Sequence, residues 1–142
     1  MSLQDSFVIP FEGSFDAHYG LEFLSPTSGR VTVRPDHLGA DGTVRSGVYA
    51  AMAESIASTG TAVEVVPQQL FPSGLSNATH VVGDARDGVL EAVARCRSRG
   101  ALEWLWDVEI GPPGGASTAI ATVAIAVRPM RPQKVFEDGQ IG

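Results

Sequence analysis

The sequence predicts an α+β protein in which a curved antiparallel sheet of about six strands wraps around one long helix. Residues 42–61 have a helical pattern, and between Ser46 and Val63 they carry a single charged side chain, Glu54. Two short strand-like runs precede this stretch, and four longer runs follow it. A helix with so little charge needs cover on most of its circumference, and a sheet wrapped around it provides that cover. We therefore expect Glu54 to be buried with the rest of the helix.

The composition indicates one soluble globular domain. The chain has 142 residues, of which 44% are apolar and 18% are charged. Its net charge of −6 argues against binding to nucleic acid or to an anionic membrane. No signal peptide and no convincing membrane span are visible, so we expect a cytoplasmic protein. Cys96 is the single cysteine and no Cys/His cluster occurs, so we predict no disulfide, no metal site and no cofactor.

The chain before the helix predicts an arm and two short strands. Residues 1–13 are assigned to an N-terminal arm, residues 14–129 to the domain and residues 130–142 to a C-terminal tail. Residues 14–20 suit a short helical turn that Gly20 stops. Strands are expected at 21–24 and 30–34, joined by a turn at 26–29.

The long helix is expected to begin after a cap at Asp41 or Thr43 and to end near Gly60, which is suited to a C-terminal cap. Glu54 and Ser58 share a face, one turn apart. One side of the helix consists of small residues, which allows another backbone to approach closely. Its members are Gly47, Ala50, Ala53, Ala57 and Gly60.

Four strand-like runs follow a connector that contains Pro67 and Pro72, and we expect them at 75–82, 89–99, 102–110 and 117–128. Because the turns between them are short, neighbouring runs should pair antiparallel. Trp104 and Trp106 share one strand face and are expected to pack in the core or at an interface, and Cys96 is expected to pack. The apolar last strand and the small-residue side of the helix need more cover than one chain offers, so we expect at least a homodimer.

Three stretches resemble the hotdog-fold acyl-CoA thioesterases, and the 4-hydroxybenzoyl-CoA thioesterase branch and its phenylacetate-pathway relatives in particular. The helix start VRSGVYAAMAESIAS resembles that family's V-H-G-G-x-Y-x-x-x-A-E-x-x-A-[ST] motif. GLSNAT, at residues 74–79, resembles its G-x-x-N-x-x strand. The third stretch is WLWDV at 104–108, followed by AIAVRP at 124–129. The resemblance spans roughly residues 15–129 and implies a thioesterase that acts on acyl-CoA as a homodimer or a dimer of dimers.

The resemblance also implies roles for particular residues. Glu54 falls on the catalytic carboxylate, Ser46 and Gly47 on the pair whose backbone N–H polarises the thioester carbonyl, and Ser58 on a hydroxyl that orients water or substrate. Arg45 replaces the family histidine, Ser46 replaces the first glycine, and Gly39 or Ala40 stands where the branch has a polar amide. The residues expected to contact substrate or CoA are Arg45, Gly74, Ser76, Asn77, Arg97, Ser98, Arg99, Gly100 and Ala101.

The chemistry of a thioester explains why such residues are useful. Helix N-terminal amides suit a developing oxyanion, and an ionised Glu54 can act as general base on water or as a nucleophile that forms a mixed anhydride. Arg95, Arg97 and Arg99 suit the phosphates of CoA, or else form an ordinary outward strand face. The acyl group is expected to be aromatic or medium-chain.

Three alternatives remain open at this point. Glu54 can be a structural residue that pairs with Arg34 or Arg45. The chain can bind acyl-CoA without hydrolysing it, which the replacements at Arg45 and Ser46 favour. A hotdog dehydratase needs a histidine in or just before the helix, and the sequence has none there. His18, His37 and His80 lack partners for a triad or a metal site and are expected in loops or at the surface.

Overall fold

The computed structural model describes residues 11–131. The predicted arm at 1–13 and tail at 130–142 lie mostly outside this range, so the division into arm, domain and tail stays a prediction. The helices and strands are α1 (Phe15–Tyr19), β1 (Glu22–Ser25), β2 (Ser28–Thr32), α2 (Ser46–Val65), β3 (Leu70–Val81), β4 (Val89–Arg99), β5 (Glu103–Gly111) and β6 (Ala119–Pro129). Short 3-10 turns occupy Phe11–Gly13, Pro35–His37 and Val66–Gln68.

The strands form one six-stranded antiparallel sheet in the order β1-β2-β4-β5-β6-β3, and α2 packs against one face of it. This confirms the predicted fold class, a curved sheet around one long helix. One expected pairing is wrong: β3 pairs with β6 at the far edge and not with its chain neighbour β4. Strand β4 has no free edge for β3, because β2 and β5 pair with its two sides.

α1 matches the short helical turn expected before the first strands. The side chain of Ser14 accepts a hydrogen bond from the N–H of Ala17, which caps the N-terminus of the helix. Gly20 ends the helix with a φ of 89°, a backbone conformation that glycine adopts without strain. The position of α1 in the chain was therefore predicted correctly.

α2 begins and ends later than the sequence predicts. It starts at Ser46 with Arg45 as its N-cap, so the expected cap at Asp41 or Thr43 is wrong. It also passes Gly60 and ends at Val65, a length of about 30 Å. Gly60 is not a cap: a Cβ there would lie 2.7 Å from a ring carbon of Trp106. Its missing side chain is what allows the helix to pack against β5.

The core lies between α2 and the sheet. Tyr49, Met52 and Ile56 of α2 are fully buried, and Trp106 is 2% exposed. The indole N–H of Trp106 donates to Thr61 Oγ1 at 2.9 Å, so its polar atom is satisfied inside the core. The expectation that Trp104 and Trp106 pack in the interior is confirmed, because Trp104 is also buried.

α2 is less covered than its composition suggests. Arg45, Ser46 and Gly47 at its start are exposed, and so are Glu54 in its middle and Glu64 near its end. The expectation that most of the circumference is buried holds for the face toward the sheet only. In particular, the expectation that Glu54 is buried is wrong for the single chain.

Strand β4 contains a bulge that the alternation of its residues does not reveal. Cys96 pairs with Trp106 and Ser98 pairs with Leu105, so Arg97 is the extra residue. Beyond it, Arg99 pairs with Trp104 and lies over the Trp104 ring, 5.1 Å from its centroid. Arg97 and Arg99 therefore do not share one outward face, as strict alternation had predicted.

β3 begins at Leu70, five residues earlier than predicted, and includes Pro72. Proline is tolerated there because β3 is an edge strand, and its outer edge needs no N–H donor in the single chain. Phe71 and Leu75 on this strand are 55% and 54% exposed. Among residues 11–131, no helix combines the length and the apolar character that crossing a membrane requires.

Candidate active site

The first turn of α2 has free backbone donors. Arg45 caps the helix through its backbone conformation alone and makes no side-chain capping bond. Among residues 11–131, neither the N–H of Ser46 nor that of Gly47 has a hydrogen-bond acceptor. Both residues are exposed, and a Cβ at Gly47 would meet nothing within 4 Å. This helix end is therefore open to an oxyanion or another anionic group.

The loop before α2 does not cap the helix because its polar groups bond within the loop. The carboxylate of Asp41 accepts hydrogen bonds from the N–H and the hydroxyl of Thr43, at 2.9 and 2.8 Å. These bonds hold the pKa of Asp41 below its usual range. The expected caps thus stabilise a turn at 41–43 and leave the helix start uncapped.

His37 connects three segments around the helix start. Its backbone carbonyl accepts from the N–H of Arg45 at 2.9 Å. Its Nδ1 accepts from the N–H of Arg34, which places the proton on Nε2, and Nε2 donates to the carbonyl of Tyr19 at 2.8 Å. The side chain is buried, so His37 is not a surface histidine, although it lies in the connection between β2 and α2 as expected of a loop histidine. Sequence reasoning missed this role because the bonds to Arg45 and Tyr19 join residues that are distant in the chain.

Glu54 lies in the middle of α2, against strand β3. A Cβ at Gly74 would collide with Glu54 Oε1, so the glycine makes room for the carboxylate. A bulge in β3 between Gly74 and Ser76 lies at the same place. The structure thus brings two of the predicted site residues, Glu54 and Gly74, into contact.

The described residues do not form the ion pair between Glu54 and Arg34 or Arg45 that a structural role would involve. Arg34 pairs with Asp36 at 3.1 Å, and Arg45 Nε donates to the Leu38 carbonyl at 3.4 Å. Within residues 11–131 the carboxylate of Glu54 has neither an ion pair nor a hydrogen bond. An exposed acid held beside a glycine, without a structural partner, is available to a ligand.

The other predicted residues near Glu54 differ in their exposure and in their hydrogen bonds. Asn77 holds β3 to the helix, because its amide donates to the Ala50 carbonyl at 2.9 Å and its Oδ1 accepts from Thr79. Ser58 is half-buried one turn after Glu54, and Ser76 is exposed beside the bulge. Asn77 thus has a positioning role in the single chain, and substrate contacts by Ser58, Ser76 and Asn77 stay predictions.

A cavity of about 450 Å³ lies beside the first two turns of α2. One wall is α1, which contributes Phe15 and Tyr19. The opposite wall is the start of the long helix, where Val48 and Ala51 are half-buried. The remaining lining residues are Arg45, Ser46 and Gly47. The cavity therefore joins an apolar wall to the free amides of the helix start.

α1 is held against α2 by a small polar network that sequence reasoning did not find. Ser55 donates to Asp16 Oδ1 at 2.6 Å, and the hydroxyl of Tyr19 donates to the same oxygen at 3.0 Å. Burial is the main cause that raises the pKa of Tyr19, and the negative charges of Asp16 and Glu54 add to it. Tyr19 therefore stays protonated and acts as a donor at ordinary pH.

The predicted CoA contacts of the β4–β5 hairpin lie near the opposite end of α2. Arg99 pairs with Glu64 at 3.4 Å, about 27 Å along the helix axis from Ser46. Arg97 pairs instead with Asp107, with its Nε 2.9 Å from the carboxylate. Ser98, Gly100 and Ala101 are exposed at the hairpin. One chain therefore does not bring this hairpin together with the helix start.

Two further observations limit the chemistry that the described residues can perform. Cys96 packs partly against the core, and burial raises the pKa of its thiol, which disfavours the reactive thiolate. In the part of the chain that is described, no three His, Cys, Asp or Glu side chains are grouped closely enough to hold a metal ion. The candidate reactive groups are therefore Glu54 and the amides of the helix start.

Comparison with known proteins gives related sequences and related folds. No family model matches the chain. The chain is 36% identical over 102 residues to Rv1847 of Mycobacterium tuberculosis, a protein provisionally named an esterase, and the match covers 68% of this chain and 73% of Rv1847. The solved structure of Rv1847 superposes with a TM-score of 0.78 at 31% identity, over 83% of this chain and 98% of that one.

Two further solved structures share the fold. A mutant of a protein named thioesterase PA1618, from Pseudomonas aeruginosa, has a TM-score of 0.77 at 24% identity, and the match covers 84% of this chain and 88% of the other. BH2602 of Bacillus halodurans, solved with CoA, has a TM-score of 0.72 at 16% identity, over 79% of this chain and 74% of that one. At these identities the likeness concerns the fold alone.

Proposed function

Because the chain belongs to the hotdog-fold family of esterases that includes Rv1847, we propose that it is a thioester hydrolase and that it hydrolyses an acyl-CoA to the free acid and CoA. In this proposal Glu54 is the catalytic carboxylate, and the N–H of Ser46 or Gly47 is the oxyanion donor. The acyl group is aromatic or medium-chain, as in the 4-hydroxybenzoyl-CoA and phenylacetate-pathway branch that the helix motif resembles.

The observation that carries the proposal is the exposed face of α2. Gly47 and Glu54 are seven residues apart, so they point in directions that differ by only about 20°. Both are exposed, and within the described residues neither the N–H groups of Ser46 and Gly47 nor the carboxylate of Glu54 has a partner. These are the donors and the acid that the proposed reaction requires.

The reaction follows from these groups. The thioester carbonyl accepts a hydrogen bond from the helix-start amide, which stabilises the negative charge that develops on its oxygen. As general base, Glu54 takes a proton from water while the water oxygen bonds to the carbonyl carbon; the C–S bond then breaks and the thiolate of CoA is protonated. As nucleophile, Glu54 forms a mixed anhydride and releases the thiolate, and water then hydrolyses the anhydride.

We further infer that two copies of the chain complete the site. Gly47 and Glu54 are about 10 Å apart along the helix, whereas both must lie about 3 Å from the reacting atoms. One thioester therefore does not reach both groups of a single chain. Among residues 11–131 no strand pairs with the outer edge of β3, and Phe71 and Leu75 of this strand are exposed. This edge favours pairing with a second copy, and Glu54 lies next to it. A dimer, or a dimer of dimers, places Glu54 of one copy near the helix start of the other.

The proposed contacts with CoA come from separate parts of the chain. BH2602, which has the same fold, was solved with CoA. We propose that CoA contacts three parts of this chain, namely the β4–β5 hairpin, the helix start and the bulge of β3. The residues are Arg97, Ser98, Arg99, Gly100 and Ala101 in the hairpin, Arg45 at the helix start, and Gly74, Ser76 and Asn77 at the bulge. The two arginines supply the positive charge that the phosphates require.

The test of this function is the Glu54→Gln variant. Release of thiol is measured over a panel of aromatic and medium-chain acyl-CoA and acyl-carrier-protein thioesters. Loss of the base or nucleophile should reduce kcat by about 10²–10⁴-fold. Because Glu54 has no structural partner within residues 11–131, the free energy of unfolding should change little.

Glu109→Gln is the matched control, because Glu109 is also exposed but lies on the outer face of the sheet. Turnover by Glu54→Gln equal to that of the wild type would contradict the proposed mechanism. If the wild type binds acyl-CoA in a calorimetric titration but releases no thiol from any member of the panel, the chain is instead a non-catalytic acyl-CoA-binding protein.

A further inference from the structure

The cavity beside the helix start extends along α2 in the direction of Glu54. Ala51 is its last lining residue on α2, and Glu54 and Ser55 follow in the next turn. The free amides of Ser46 and Gly47 lie at the other end of the same wall. A thioester whose carbonyl oxygen accepts from one of these amides therefore has its acyl group at the mouth of the cavity.

We propose that α1 is the specificity wall of this cavity, and that Phe15 determines the length and width of acyl group that fits. The inference rests on the thioester hydrolysis proposed above and adds the residues that select the acyl group. Phe15 is 71% exposed and lines the cavity, so its ring is accessible to an apolar ligand there.

The shape of the cavity supports this role for Phe15. The Phe15 ring is tilted against Tyr19, with 5.1 Å between the ring centroids, so the two rings form one continuous aromatic surface. The helix wall opposite contains Gly47 and Ala51, whose small size leaves room between the walls. Such a slot suits the hydrocarbon part of an acyl group, and its volume lies within the range of small-molecule sites.

The position of α1 is fixed from two sides. Asp16 accepts from Ser55 at 2.6 Å, and Ser55 is the chain neighbour of Glu54. On the other side, His37 donates to the carbonyl of Tyr19, and Arg34 donates to the carbonyl of His18 at 2.9 Å. Ser55 and Asp16 are thus positioning residues that set the distance between the aromatic wall and the turn that carries Glu54.

The lining also defines the chemistry of the occupant. Val48, Ala51, Phe15 and the ring of Tyr19 are apolar, and the hydroxyl of Tyr19 is already bonded to Asp16. Arg45 is the single charged side chain among the lining residues, and it is exposed at the helix start. An uncharged hydrophobic acyl group therefore fits better than the polar pantetheine arm of CoA.

The test compares Phe15→Ala with the wild type on acetyl-CoA, hexanoyl-CoA and decanoyl-CoA. Each methylene buried against the wall should contribute about fourfold to kcat/KM. Removal of the ring should therefore reduce the preference for decanoyl-CoA over acetyl-CoA by at least about tenfold. Leu24→Ala is the control, because Leu24 is an exposed apolar residue of β1 outside the cavity. The preference of this variant for decanoyl-CoA over acetyl-CoA should equal that of the wild type.

A second pair of variants tests the positioning role. Ser55→Ala should lower the decanoyl preference in the same direction, whereas Ser55→Thr keeps the hydroxyl and should restore it. A purely structural role would move the unfolding midpoint without changing the ratio between acyl groups. If Phe15→Ala fails to fold, Phe15→Leu keeps the residue apolar and changes only the shape of the wall.

The inference is overturned if Phe15→Ala retains the preference of the wild type, or if all three substrates lose activity equally. Failure of the proposed function has a different signature, since wild type and Glu54→Gln would then release thiol at the same rate. In that case calorimetric binding of decanoyl-CoA and of free CoA to the wild type and Phe15→Ala tests the wall by itself. An unchanged ratio of the two affinities contradicts it.

Discussion

The two ends of α2 differ in what surrounds them. At the first turn, Ser46 and Gly47 are exposed, and their amides have no acceptor among residues 11–131. Near the last turn, Gly60 and Thr61 are buried against Trp106, and the indole N–H is hydrogen-bonded. The first end leaves polar groups available to a ligand, and the second satisfies them within the protein. Substitutions at the first end should therefore change activity, and those at the second end should change stability.

Among substitutions at the two ends of α2, the largest effect is expected from Ser46→Pro at the open end. Proline lacks the N–H but fits the first helical position, and Arg45 before it already has the extended backbone that precedes proline, with φ −66° and ψ 143°. If the Ser46 amide is the oxyanion donor, kcat should fall by about 10²–10³-fold. Thiol-release kinetics measure this effect, and circular dichroism checks that the fold is intact.

Ser46→Ala is the control for this substitution, because it removes the side chain and keeps the amide. Full activity in Ser46→Pro would assign the donor role to Gly47. If Ser46→Pro is inactive, mixing it with Glu54→Gln subunits tests whether two copies share a site. A shared site predicts recovery of about one quarter of wild-type activity after random exchange, because half of the dimers have one intact site. No recovery would contradict the shared site.

A smaller effect, on stability, is expected when glycine is replaced by alanine at each end of α2. Gly60→Ala places a Cβ 2.7 Å from the Trp106 ring, and overpacking should lower the free energy of unfolding by about 1–2 kcal/mol despite the better helix propensity. Gly47→Ala meets open space and should leave the free energy of unfolding unchanged or raise it slightly. Urea denaturation of both variants measures the difference. Equal effects at the two sites would contradict the contrast between the ends.

The smallest effect is expected from Arg99→Ala at the packed end. Its ion pair with Glu64 is about half exposed, so the free energy of unfolding should change by less than about 1 kcal/mol. If Arg99 contacts a CoA phosphate, KM for acyl-CoA should rise about fivefold, and the increase should shrink at high salt. KM for the N-acetylcysteamine thioester of the same acid, which has no phosphate, should stay unchanged. A parallel rise in both KM values would exclude a phosphate contact.

The local sequence predicted most of the secondary structure. The predicted bounds of β4, residues 89–99, agree with the structure, because apolar and polar residues alternate there. Gly20 stops α1 as expected, and Trp104 and Trp106 pack in the core. These features depend on neighbours in the chain, on backbone preference and on which strand face is apolar, and all three are readable in a single sequence.

The pairing of β3 and the environment of Glu54 could not be predicted from the local sequence. An uncharged helix suggested a buried acid, but the edge position of β3 leaves one side of α2 open around Glu54. The bulge in β4 reverses the face of Arg99 without any change in the residue pattern. Each of these depends on which strands meet, and that is decided by contacts between distant parts of the chain.

By itself, the sequence determined that one long helix packs on a six-stranded antiparallel sheet and that Glu54 is the single acid in the helix middle. Only the tertiary structure decided that Glu54 is exposed beside Gly74, that His37 connects the helix start to α1, and that Phe15 lines a cavity there. The physical reason is that helix and strand preferences are local, whereas burial, bulges and cavities arise when segments that are far apart in the chain pack together.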